Sequence, residues 1–131
     1  MPRIHFDVLV PDVSAAEAVG AAFSRAVEIL VQHGKLEDGG VLIDASPELA
    51  PDTDAQLRRV YEEERGENSA GAKIARYIIT AEGASSMNQL AMGLSRVLTP
   101  KATLPRDPVA LERQMDFELP AVYPWVVEVL R

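Results

Sequence analysis

The amino-terminal segment alternates between large apolar residues and mostly polar ones. Over residues 3–10, one set of alternate positions is apolar and β-branched or aromatic: Ile4, Phe6, Val8 and Val10. Alternation with a period of two in this residue context predicts a β-strand with one buried face. Pro11 and Asp12 then interrupt the pattern. A half-buried strand is therefore expected over residues 3–10.

The pattern changes to a helical period directly after this strand. Ser14 precedes Glu17 by three positions, which is the spacing of a capping box that satisfies free backbone N–H groups. His33 and Gly34 mark the end, because glycine adopts the left-handed C-terminal conformation without strain. The apolar residues between these ends form one stripe: Ala16, Val19, Phe23, Ala26, Val27 and Leu30. The pattern predicts one long amphipathic helix.

The strand-and-helix pattern occurs twice. Residues 74–98 repeat residues 3–30 at an offset of 71 positions, without a gap between strand and helix. Phe6 falls on Tyr77 at this offset, and Ser86 opens a second capping box within one residue of the matching position. The agreement of faces, cap and stripe indicates an internal quasi-repeat of two β-α-β halves.

The remaining segments predict shorter elements. They are a strand over 41–46, a helix over 53–65 capped by Thr53 and Gln56, an exposed polar loop over 62–71, a helix over 107–114, an alternating strand over 115–119 and a hydrophobic terminal strand within 121–131. The pattern leaves open which of the last two strands completes the sheet. The expected fold is a single α+β domain over residues 1–131. Its expected architecture is a ferredoxin-like two-layer sandwich with helices on one face of a mainly antiparallel sheet.

Composition and charge exclude several functional classes. The 131 residues contain no cysteine, which removes disulfides, thiolate catalysis and sulfur-ligated metals. A net charge of −7 disfavours nucleic acid and anionic membrane as partners, because both are bound mainly through Lys and Arg. No apolar run approaches the roughly eighteen residues needed to span a bilayer. A cytoplasmic location is therefore expected.

The second face of the predicted sheet is too apolar to be left in water and too polar for a closed core. It carries His5, Asp7, Leu9, Ile74, Arg76, Ile78 and Thr80, with Asp44 and Glu128 as further members if the register allows. A second copy of the chain, a ligand or the chain's own C-terminal segment could cover it. A homo-oligomer is expected first, because Tyr123 and Trp125 are residue types enriched in interface cores. The alternative is that Trp125 completes the core of the monomer.

One cluster on this face has chemical potential. A histidine near a carboxylate can act as a general base, and Arg76 could hold an anionic substrate beside His5 and Asp7. However, residues two apart on a strand stand about 7 Å apart. The alternative is a polar row that contains a cross-strand ion pair. No metal and no cofactor are expected, since the chain has two histidines and lacks phosphate-binding and nucleophile-elbow motifs.

Pro2 follows Met1 directly and leads into the first predicted strand, and the β-α-β pattern occurs twice. At the level of pattern, residues 1–30 and 73–98 look somewhat like the tautomerase superfamily. Members of that family use an amino-terminal proline as a base after removal of the initiator methionine. The resemblance implies a catalytic role for Pro2 alone, and it requires removal of Met1.

Two functional hypotheses follow from these patterns. In the first, the chain is a small self-associating binding or accessory module. Its exposed sheet face, with candidate residues His5, Asp7, Arg76, Thr80 and Glu128, meets a small-molecule ligand or another protein chain. In the second, it is a cofactor-independent isomerase that uses His5 or Pro2 as base and Arg76 as anion holder.

Overall fold

The computed structural model describes residues 2–99 and 123–130. Its elements are β1 (Arg3–Val10), α1 (Val13–Gln32), β2 (Asp38–Asp44), α2 (Pro51–Arg65), β3 (Lys73–Glu82), α3 (Met87–Leu94), a 3-10 turn (Ser95–Val97) and β4 (Trp125–Leu130). This is an α+β arrangement of four strands and three helices within the described residues. The predicted helix over 107–114 and strand over 115–119 lie outside the described residues.

The four strands form one antiparallel sheet in the order β2-β3-β1-β4. β1 pairs with β3 on one side and with β4 on the other, so it lies at the centre together with β3. β2 pairs with β3, which therefore separates it from β1. The predicted antiparallel character is confirmed, and the terminal strand completes the sheet beside β1.

One face of the sheet packs on α1 and α3. Phe6 from β1, Tyr77 from β3 and Phe23 from α1 form its centre, with ring centroids 4.9 Å apart for Phe6–Phe23 and 5.3 Å for Phe23–Tyr77. The Tyr77 hydroxyl donates to the carbonyl of Ala16 at 2.6 Å. Burial raises the pKa of Tyr77 to about 12, so the phenol stays neutral and can keep this bond. The alternating residues of the first strand are thus buried as predicted.

α2 lies on the opposite face of the sheet, so the prediction that the helices share one face is wrong for this helix. Its narrow apolar stripe, Leu57 and Tyr61, packs on Leu9 of β1 and Ile74 of β3. The physical reason is that this end of the second face is apolar. A short helix with two large apolar residues removes it from water.

The helix starts differ from the predictions in two of three cases. Asp12, not Ser14, caps α1, and its carboxylate accepts from the N–H of Ala15 at 2.7 Å. α2 begins at Pro51 without a side-chain cap, because proline brings no N–H that needs a partner. Ser86 caps α3 as predicted and accepts from the N–H of Gln89 at 3.2 Å.

The segment after α2 is anchored to that helix, which the prediction of an exposed loop over 62–71 missed. Arg58 donates to the carbonyls of Ser69 at 2.6 Å and Ala72 at 3.2 Å. Glu62 accepts from both the N–H and the hydroxyl of Ser69. These bonds hold the entry to β3 against α2, and they bury Ser69.

Candidate functional site

The predicted site residues lie together on the sheet face opposite α1 and α3. Cross-strand partners point their side chains to the same side of a sheet. Asp7 is opposite Arg76, His5 is opposite Glu128, and Arg3 is opposite Thr80. The strand registers therefore bring all five predicted residues to adjacent rows of one surface.

α2 covers one end of this surface and leaves the other end without a helix among the described residues. We call the uncovered part the open face. It consists of two cross-strand rows: Leu42, Ile78, His5 and Glu128, followed by Gly40, Thr80, Arg3 and Leu130. The row that contains Asp7 and Arg76 lies between the open face and the cluster under α2.

Asp7 and Arg76 form a bidentate ion pair across β1 and β3. Nε of Arg76 donates to Oδ1 of Asp7 at 2.8 Å, and Nη2 donates to Oδ2 at 3.1 Å. Nη2 also lies 3.4 Å from the carbonyl of Glu48, which it reaches as a donor. The side chains are 9% exposed for Asp7 and 21% for Arg76. The structure thus contains the cross-strand ion pair that the sequence offered as an alternative to an anion-holding site.

The geometry of the ion pair stabilises the charged form of Arg76. The hydrogen bond that Arg76 donates to Asp7 raises the pKa of Arg76, and the nearby carboxylates of Asp7, Asp44 and Glu128 add to the effect, while burial opposes it. The guanidinium of Arg76 already binds a carboxylate of the same chain through two hydrogen bonds, so its positive charge is compensated. An external anion would have to compete with Asp7.

His5 lies next to this pair and has a free nitrogen. Its Nε2 is buried and has no hydrogen-bond partner among the described residues. Burial lowers the pKa of His5 below 6.5, and the positive charges of Arg76 and Arg3 lower it further, although Asp7 and Glu128 act in the opposite direction. The net effect favours the neutral imidazole. Nε2 makes no hydrogen bond with Asp7, so it is not oriented by this carboxylate.

Thr80 and Glu128 complete the polar part of the open face. Thr80 is half-buried in β3 between Arg3 and Gly40 of the neighbouring strands. Glu128 is exposed on β4 beside His5. Both lie on the predicted surface, and they bring one neutral hydroxyl and one negative charge to it.

The predicted interface aromatics contact their own chain. The Trp125 ring lies on the core side of β4, 5.8 Å from the Phe6 ring, and its indole N–H donates to the hydroxyl of Thr99 at 3.0 Å. The guanidinium carbon of Arg65 lies 4.8 Å from the Tyr123 centroid. Both aromatic residues remain half-buried. The contact with Phe6 favours the alternative in which Trp125 completes the core.

Sequence reasoning missed Leu42 as a member of this surface. Leu42 is 65% exposed in β2 and lies opposite Ile78, in the same row as His5. The signal was the alternation of the predicted strand over 41–46, which puts Leu42 on the same side as Asp44.

Comparison with known proteins supplies no relative, since no family model, curated protein or solved structure matches this chain. Within residues 2–99 and 123–130, three or more Asp, Glu or His side chains do not converge as a metal site. The helices of that part are also too short or too polar to cross a bilayer. The function therefore has to be argued from geometry.

Replacing Arg76 by methionine should destabilise the fold by about 3 kcal/mol, because the buried carboxylate of Asp7 would lose its partner. The paired variant, Asp7→Leu with Arg76→Met, should recover most of this loss, because it removes both charges. Urea unfolding of the three proteins measures the difference. A single variant within about 0.5 kcal/mol of the wild type would show that the pair behaves as a solvated surface bridge.

His5 should make stability depend on pH near neutrality. Because folding lowers the pKa of His5, the folded state favours the neutral imidazole. The contribution of His5 to the free energy of unfolding is therefore complete above pH 6.5 and is lost as the pH falls below that value. When the pH is lowered from 8 to 5, His5→Gln should therefore lose less stability than the wild type, as measured by urea midpoints. His33→Gln, at the exposed end of α1, is the control for loss of an imidazole. An equal effect in that control would contradict a special role for His5.

Proposed function

We propose that this chain is a small self-associating binding or accessory module whose open face meets a second copy of the chain. The observation that carries the proposal is the composition of that face. Leu42 is largely exposed, Ile78 beside it is half-buried, and His5 has a buried nitrogen without a partner in the described residues. Apolar area of this kind is stabilised by removal from water, and a partner chain can remove it.

The charges on the open face suit a second copy. Arg3 and Glu128 carry opposite signs and lie in neighbouring rows, while the charges of Asp7 and Arg76 compensate each other in the adjoining row. In a two-fold symmetric contact, a residue away from the axis meets a different residue of the other copy, and the reciprocal contact is also formed. A surface of mixed sign can therefore match itself, whereas a surface of one sign would repel its copy.

The same proposal includes a ferredoxin-like plan for the whole domain, over residues 1–131, with α2 as an addition between β2 and β3. The strand order supports it, because β3 fills the gap between the parallel strands β1 and β2, and β1 fills the gap between β3 and β4. The internal repeat is supported by Phe6 and Tyr77. These equivalent residues lie directly opposite each other, as a local two-fold axis between the halves requires.

We also propose a cytoplasmic location for this module. A chain without cysteine needs no oxidising compartment for disulfide formation. Its negative net charge favours solubility.

Light scattering coupled to size-exclusion chromatography tests the self-association. The wild type at high micromolar concentration should have twice the mass of one chain. Leu42→Asp should weaken the dimer about tenfold or more, because a carboxylate would be buried in the contact without a partner. Met92→Asp is the matched control, since Met92 is 69% exposed but lies on α3, away from the open face. A monomeric wild type would overturn the proposal, and so would a dimer that only Met92→Asp weakens.

An enzymatic function is the alternative, and the neutral His5 with its unpartnered Nε2 favours it. A neutral imidazole can accept a proton in an isomerase reaction. In that case His5→Gln should abolish proton exchange at the carbon next to the ketone of a keto acid, measured by NMR in deuterium oxide, while His33→Gln retains it. Exchange that survives both His5→Gln and acetylation of the amino terminus would remove both His5 and Pro2 as bases.

A further inference from the structure

Two cavities lie between α1 and the sheet along β2. The first, of about 300 Å³, has Val27 and Val31 on the α1 side and Val41 on the β2 side. The second, of about 270 Å³, has Val13 on the α1 side and Ile43 on the β2 side, and it extends over Ala75 of β3. We call the two cavities together the α1/β2 groove. It faces away from the open face, because Val41 and Ile43 alternate with Leu42 along the strand.

β2 is an edge strand, and its outer side carries no paired strand within residues 2–99 and 123–130. An edge strand presents backbone N–H and C=O groups that an added strand can bind. Ile43 is 49% exposed at this edge, so its side chain leaves part of the groove open. The groove therefore combines free backbone groups with apolar pockets, which are the two requirements for capture of an extended peptide.

Two glycines set the distance between the walls of the groove. A Cβ on Gly20 of α1 would lie 2.7 Å from Cδ1 of Ile43, and a Cβ on Gly39 of β2 would lie 2.8 Å from Cγ1 of Val27. Both distances are shorter than a carbon–carbon contact. The absence of these two Cβ atoms lets α1 approach β2 closely, and Gly39 itself lines the first cavity.

The charged residues along the groove have mostly one sign. Glu17 and Glu28 on α1 and Asp38 on β2 are exposed at its borders, and Asp12 adds a fourth carboxylate, against the single cation of Lys73. A second copy of β2 would bring Asp38 and Asp44 to the same edge and increase the repulsion. The groove is therefore complementary to a cationic strand, unlike the open face with its mixed charges.

We propose that the α1/β2 groove binds an extended basic peptide of another protein, which pairs with β2 as a fifth strand. Gly39 of β2 lines the first cavity and Ile43 lines the second, and these residues are four positions apart, or about 13 Å at the rise of a strand. Side chains at positions i and i+4 of a strand point to the same side. The peptide therefore carries apolar residues at this spacing, with lysine or arginine on either side of them to meet Glu17, Glu28 and Asp38. This surface is separate from the one proposed for self-association.

Fluorescence anisotropy with a labelled synthetic peptide tests the proposal. The probe has ten residues, with valine at positions 4 and 8, lysine at positions 2 and 10, and threonine elsewhere. It should bind the wild-type protein with a dissociation constant on the order of micromolar, typical of short strand-addition ligands. A peptide with glutamate at positions 2 and 10 should bind at least about tenfold more weakly, and so should one with proline at position 5, which cannot donate a backbone hydrogen bond.

Variants of the protein locate the site. Ile43→Asp should weaken binding of the lysine peptide about tenfold or more, because it places a charge in the second cavity. The double variant Glu17→Lys with Glu28→Lys changes only exposed side chains, so it remains informative if Ile43→Asp fails to fold, and it should reverse the preference between the two charged peptides. Met92→Asp, a substitution of an exposed residue elsewhere, should bind as the wild type does.

Three outcomes would overturn the proposal: no binding of the lysine peptide at millimolar concentration, equal binding of the lysine and glutamate peptides, or an unchanged preference in the double variant. None of them affects the mass measurement on Leu42→Asp. Failure of this proposal and failure of the proposed self-association are therefore separate results.

Discussion

The register between β1 and β3 determines what lies on either side of the sheet. With Phe6 opposite Tyr77, these two residues and the alternate apolar residues beside them face α1 and α3, whereas Leu9 and Ile74 face α2. The same register places Asp7 opposite Arg76 on the other side. A shift of one residue would turn the aromatic centre toward water and the ion pair into the core. The hydrophobic contacts on one face and the ion pair on the other therefore specify one and the same alignment.

The second face of the sheet has three parts, and each is shielded from water to a different degree. At one end, α2 covers Leu9 and Ile74 with a pair of large side chains. In the middle, the carboxylate of Asp7 is neutralised by Arg76, so a nearly buried charge is tolerated. At the other end, the described residues provide no helix over Leu42 and no hydrogen-bond partner for Nε2 of His5. The proposed contact with a second copy therefore lies at that end, which is the least shielded from water.

The patterns that depend on local periodicity could be predicted from the sequence. The period of two placed His5, Asp7 and Arg76 on one side of the sheet, and the helical stripe identified α1, because both depend only on neighbouring residues. The face chosen by α2 could not be predicted, since Leu57 and Tyr61 indicate an apolar stripe but not its partner. The bonds from Arg58 to Ser69 and Ala72 also lack a local signal, because they join residues 11 and 14 positions apart. The α1/β2 groove depends on the separation between a helix and a strand, which periodicity does not give.

The strand order has a consequence for the way the chain acquires its structure. β1 and β2 are joined by α1 but do not touch as strands, because β3 separates them. The first half of the polypeptide thus has no strand pair of its own, and its sheet hydrogen bonds must wait for residues near position 73 and beyond. Pairing over such sequence distances carries a large loop-closure entropy and slows folding. An emerging nascent chain of this protein would hold an amphipathic helix and unpaired strands until its later segments are synthesised, which makes that interval the one most exposed to aggregation and to chaperones.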